Sequence, residues 1–155
     1  MAAPNIDAIY SKVADIQADT QTAATLLGAT ANTAQDGTGT IYPVFTSDAT
    51  NGGYVSKLSL QSITSTAATV MRIFIVNTVP TVTSGALVSN TSLNTWLFTE
   101  VLLPAVTVSQ TAAAPHIEVP INIALPAGFR LAVTFGTSTG ASTTGCKVIA
   151  IGGKY

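Results

Sequence analysis

Residues 51–77 read NGGYVSKLSLQSITSTAATVMRIFIVN, and no other stretch restricts the choice of fold as tightly. Leu58 and Leu60 alternate with Lys57, Ser59 and Gln61, the period-2 pattern of a strand with one buried and one wet face. Residues 70–76 are instead almost continuously apolar and rich in β-branched side chains, with Arg72 the one interruption. Both faces of that second strand need cover, from the middle of a sandwich or from a neighbouring subunit.

The rest of the chain repeats this grammar. Residues 41–45 predict a strand that Pro43 sends to an edge or a bulge, because proline donates nothing to a ladder. In residues 96–103, Trp96, Phe98, Glu100 and Leu102 alternate with Leu97, Thr99, Val101 and Leu103, which sets aromatics on one face and aliphatics on the other. Apolar on both faces, this strand is expected to be covered by another protomer. Ile117, Val119, Ile121 and Ile123 alternate with His116, Glu118, Pro120 and Asn122, so the proline belongs to the wet side of an exposed strand. Phe129, Leu131, Val133 and Phe135 face inward opposite Arg130, Ala132 and Thr134, and residues 147–151 form the closing strand. Turn chemistry separates these runs: Asp36-Gly37, the hairpin pair Asn51-Gly52, Pro126-Ala127-Gly128, and the polar loop 136–145. Intervals 78–94 and 104–115 suit Greek-key crossings better than tight hairpins, and 78–94 reads as a surface excursion available for contacts. The expected fold is all-β, an antiparallel β-sandwich of jelly-roll type with about eight strands.

Residues 1–31 are of another kind. Ile6, Ile9, Tyr10, Val13 and Ile16 recur at spacings of three and four, one apolar stripe on a short N-terminal helical or extended arm. So narrow a stripe must dock on its own sheet, a neighbouring copy or a separate partner. Residues 20–31 read as a linker with a short first strand at 24–28. The expected organisation is an arm and linker over 1–31 and one sandwich domain over 32–155.

Only 8% of residues are charged and 47% are hydrophobic, against roughly 25% charged in an average domain. With a formal charge of -1 the surface carries little repulsion, so self-association is expected. Lys12, Lys57, Arg72, Arg130, Lys147 and Lys154 are scattered singly and build no phosphate-tracking groove, so nucleic acid is not an expected partner. No apolar run approaches the ~20 residues of a spanning helix, and no membrane partner is expected. The first residues lack the apolar core of a signal peptide, which predicts synthesis in a cytoplasm. The single Cys146 reads as a small buried residue.

Chemistry has little to work with. His116 and Glu118 share the wet face of one strand and read as surface polar groups rather than an acid/base pair. Asp36 and Asp48, with Asn32 and Asn51, lack the ligand order of a calcium loop and read as turn formers. The expectation is no enzyme: no catalytic residues, no metal site and no cofactor. Trp96 and Tyr54 could stack on a sugar, but aromatics on alternating strands more often fill a core or an interface. Arg72 and Arg130, each set among apolar residues, are expected to pair with an acid such as Glu100 or Glu118 or to cross an interface. Trp96, Phe98, Arg72 and Glu100 are thus the protomer-interface candidates, and Ile6, Ile9, Tyr10, Val13 and Ile16 the contact residues of the arm.

The run NTAQDGTGTIYPVFTSDATNGGYVSKLSLQSI, a TST linker and then ATVMRIFIVN, over residues 32–77, resembles small virion proteins of tailed bacteriophages, in particular capsid decoration or cement proteins with a jelly-roll body. The resemblance covers about a third of the chain at the level of motifs. It implies a structural viral protein, commonly a homotrimer, on the outer surface of the phage head. Its partner there would be the major capsid protein, whose shell it reinforces. A carbohydrate- or receptor-binding virion module of tail or head surface is the alternative.

Overall fold

The computed structural model describes residues 30–139 and 145–155, together with the backbone of residues 13–18. Its elements are β1 (Val13–Ala18), β2 (Tyr42–Thr46), β3 (Gly53–Ser62), β4 (Thr69–Val76), β5 (Thr81–Thr83), β6 (Ala86–Val88), β7 (Thr95–Leu103), β8 (His116–Leu125), β9 (Arg130–Phe135) and β10 (Cys146–Lys154). There is no helix among the described residues.

The alternation in β3 does what its period requires. Val55, Leu58 and Leu60 are buried while Lys57, Ser59 and Gln61 lie on the other face. β3 belongs to a four-stranded antiparallel sheet in the order β1-β10-β3-β8, and β4 to a second in the order β2-β9-β4-β7. Apart from the small β5–β6 hairpin, the chain changes sheet at every step but one, from β4 to β7. This interleaving, with first and last strands paired, is jelly-roll order. The inner faces meet in one core that includes Tyr42, Phe45, Leu58, Met71, Leu131 and Phe135. Cys146 is buried in that core, as its setting predicts.

Two sequence expectations change in the structure. Asn51-Gly52 does not close a hairpin, because β2 and β3 lie in different sheets; it ends a tight loop in which Asp48 and Gly52 exchange backbone bonds and Gly52 takes a φ of 87°. The helical stripe does not extend into residues 13–18, whose backbone pairs in unbroken antiparallel register with β10, so the sandwich takes in a strand from the segment assigned to the arm. Residues 24–28, the expected first strand, lie outside the described residues, as do Ile6, Ile9 and Tyr10.

β4 is covered on both faces, as its composition requires, and the second cover is the chain's own. Phe74 and Val76 pack with Ile41, Ala132 and Leu87 in a smaller cluster on the outer side of the second sheet. Leu87 comes from the β5–β6 hairpin, which lies over that face.

Candidate interaction surface

β7 closes one side of the second sheet, paired with β4 along one edge and with no described strand along the other. Its register against β4 shifts once: Ile73 lies opposite Thr99, but Phe74 lies opposite Leu97, so Phe98 is an extra residue. A bulge of this kind reverses the facing of everything beyond it. Trp96 therefore shares a face with Ile75, whereas Glu100 and Leu102 share the opposite, outer face with Arg72 and Val70. The expected row Trp96, Phe98, Glu100, Leu102 is split by the bulge.

Of the four interface candidates, the structure joins Arg72 and Glu100. The Arg72 Nε donates to Glu100 Oε1 at 2.7 Å, and its Nη1 donates to the Asn32 carbonyl at 3.0 Å. The Arg72 side chain is only 12% exposed. Gln35 adds a bond from Nε2 to the same carboxylate oxygen. The one charge on β7 is thus neutralised within the subunit. Trp96 is 44% and Phe98 39% exposed, and Leu102, which singled out no role in the sequence, is 73% exposed.

Among the described residues, nine of the eleven exposed large apolar side chains fall between Val79 and Val108, which concentrates them on β7 and its flanking connections. Val79, Val82, Val88 and Leu93 sit on the excursion before β7. That excursion is tied down at several points. Asn90 Nδ2 donates to the carbonyls of Gly37 and Gly39, Asn94 bridges Thr91 and Ser89, and Arg130 Nη1 donates to the Pro80 carbonyl. Apolar groups held on a braced segment lose little freedom when they dock. Beside Leu102 a shallow depression of about 360 Å³ opens among Thr33, Ala68, Val70, Arg72 and Gly136.

The polar face of the first sheet offers less. His116 Nε2 lies 2.6 Å from Ser59 Oγ, the spacing of a nucleophile and base. Glu118, the acid nearest in sequence, is instead taken by Lys57, whose hydrogen bond and charge hold its carboxyl below the usual range. Asp36 accepts bonds from the hydroxyl and the backbone N–H of Thr38, and Asp48 from the backbone N–H groups of Asn51 and Thr50; each carboxylate is held low by these bonds. Both sit in turns. Among the described residues no three His, Cys, Asp or Glu side chains gather as a metal site would require. Tyr54 donates its hydroxyl to Asn122 Oδ1 across β3 and β8, in the other sheet from Trp96, so the two are not one stacking platform.

The apolar residues of the excursion were not legible as a contact surface because they stand singly or in one short run among Ser, Thr and Asn. Their signal was absolute hydrophobicity in a segment with no strand period to bury it. Comparison with protein-family models, with curated proteins and with solved structures found no match to this chain.

Proposed function

We propose that this protein is a structural component of a phage virion that binds the outside of the head and stabilises its shell, acting as a homotrimer. The observation that carries the reading beyond resemblance is the concentration of exposed apolar groups on β7 and the connections that flank it. Trp96, Phe98 and Leu102 expose apolar groups along the open side of β7, from both of its faces, and Val79, Val82, Val88 and Leu93 expose more on the excursion that precedes it, on a body otherwise solvated by Ser, Thr and Asn. The partners of this reading are further copies of the chain and the major capsid protein. The arm, with Ile6, Ile9 and Tyr10, supplies the contact to the shell.

The test mixes purified full chain with expanded heads that lack it and measures bound copies by sedimentation and quantitative gel. Saturation at a fixed number of copies per head, lost when residues 1–12 are deleted, is the expected result. Heads that recover no protein across micromolar concentrations would move the protein away from the head surface.

A further inference from the structure

Four strands close the two sheets at their sides, and they are not alike. β2 carries Pro43 and a register shift between Pro43 and Phe45. β8 carries Pro120 and a register shift where Asn122 takes a φ of 52°. Proline and bulges are the devices by which natural sheets spoil an edge against further pairing. β1 has neither, its six residues running in unbroken register with β10. β7 has no proline, and beyond its bulge residues 99–103 run in regular register with β4.

The open edges are placed diagonally. β1 and β2 lie together on one side of the sandwich, which leaves β7 and β8 for the other. Each side thus pairs an open edge with a spoiled one, and the two open edges belong to different sheets.

We infer that β7 of one copy pairs with β1 of the next, joining the second sheet of the first copy to the first sheet of its neighbour through backbone hydrogen bonds. The inference rests on the proposed reading only in taking the assembly to be built from copies of this chain. The occupant of β7 is a second copy because β1, with six residues in unbroken register, is long enough to pair along the whole regular stretch 99–103, and because the charges permit it. Asp15 is the one charged residue of β1, and the only acid it meets on β7, Glu100, is already neutralised by Arg72. The arriving copy covers Leu102 and Phe98. A contact that uses two different patches is head-to-tail, and it closes into a ring when the rotation per step allows.

Cross-linking in the full chain tests this. Leu102→Cys is combined in turn with a cysteine at each position from 13 to 18, Cys146 being buried in the core. Under mild oxidation at least one double variant is expected to give a covalent ladder on a non-reducing gel, and no single variant should give any product. Dimers from Leu102→Cys alone would overturn the inference in favour of a two-fold β7 contact. Monomers from every double variant would overturn it outright. Leu102→Lys, with an unchanged far-UV spectrum, is expected to weaken self-association at least tenfold by light scattering; an unchanged mass would count against the contact. Heads are absent from these assays, so failure here leaves head binding standing, and failed head binding leaves this contact standing.

Discussion

The Asp48 carboxylate accepts the backbone N–H groups of Asn51 and Thr50, both at 2.9 Å, and these bonds hold its pKa below the ordinary 3.8. A folded-state value below the unfolded one gives stability that is present above the unfolded value and is lost as pH falls through the folded one. Asparagine keeps an acceptor oxygen at the same place but has no proton to gain. Asp48→Asn should therefore keep the loop and reduce acid sensitivity: its urea midpoint should fall less than that of the native chain between about pH 5 and about pH 3. Equal falls would assign Asp48 no share in acid unfolding. Gly152 makes the opposite kind of point, since it acts by what it lacks. It sits where the β10 register shifts against β3, and an added Cβ there would overlap the Tyr54 carbonyl oxygen, a backbone atom that cannot swing aside. Gly152→Ala should cost about 1–3 kcal/mol, the range for forced overpacking, read as a lower denaturant midpoint at unchanged slope. A native midpoint would mean that the bulge relaxes freely.

At the scale of the element, strand existence was legible and strand partnership was not. Burial on one face imposes period 2 on the sequence, so β3, β8 and β9 could be read from Leu58-Leu60, from Ile117 to Ile123 and from Leu131 to Phe135. Nothing in that pattern says which sheet a strand joins: Asn51-Gly52 permits a tight turn whether the chain returns beside itself or crosses to the other sheet. The bulge at Phe98 is one residue in a run that alternates either way, so its reversal of Trp96 was invisible. That Arg72 would meet an acid was legible, because a cation among apolar residues needs one within reach, but the choice of Glu100 over Glu118 depended on strand pairing and was not. β1 was the hardest case, because six residues are too few to separate a spacing of two from one of three or four. Its role can be checked by two deletions. Removing residues 1–12 stops short of β1 and should leave the unfolding midpoint unchanged. Removing residues 1–18 also strips six paired residues from β10 and turns a central strand into an edge. The longer deletion should lower stability by several kcal/mol, since it loses a set of backbone bonds worth about 1 kcal/mol each. Equal midpoints for the two truncated chains would show that β1 contributes nothing to the sandwich.

Across the whole molecule, the first and last described strands meet: β10 lies between β1 and β3, so the first sheet is complete only when residues more than 130 positions apart have paired, as Val13 and Lys154 do. Such a topology folds slowly, because the entropy of closing a long loop is spent before its contacts form. The whole chain has 13 charged side chains, six basic and seven acidic, and Lys57–Glu118 and Arg72–Glu100 are already joined within the subunit. Any surface it uses for assembly therefore works mainly through apolar contact and backbone bonds, and that has a measurable signature. Interactions between exposed charges are screened over a distance of about 10 Å at 0.1 M salt and about 3 Å at 1 M, whereas apolar burial is not weakened in this way. Self-association should change less than about threefold between roughly 50 and 500 mM sodium chloride, and it should strengthen in sulfate, which favours burial of surface. A loss of tenfold or more over that range would place assembly in the hands of the charges instead. It would then point to Asp15 and the scattered lysines, rather than to Trp96, Phe98 and Leu102, as the residues through which copies recognise one another.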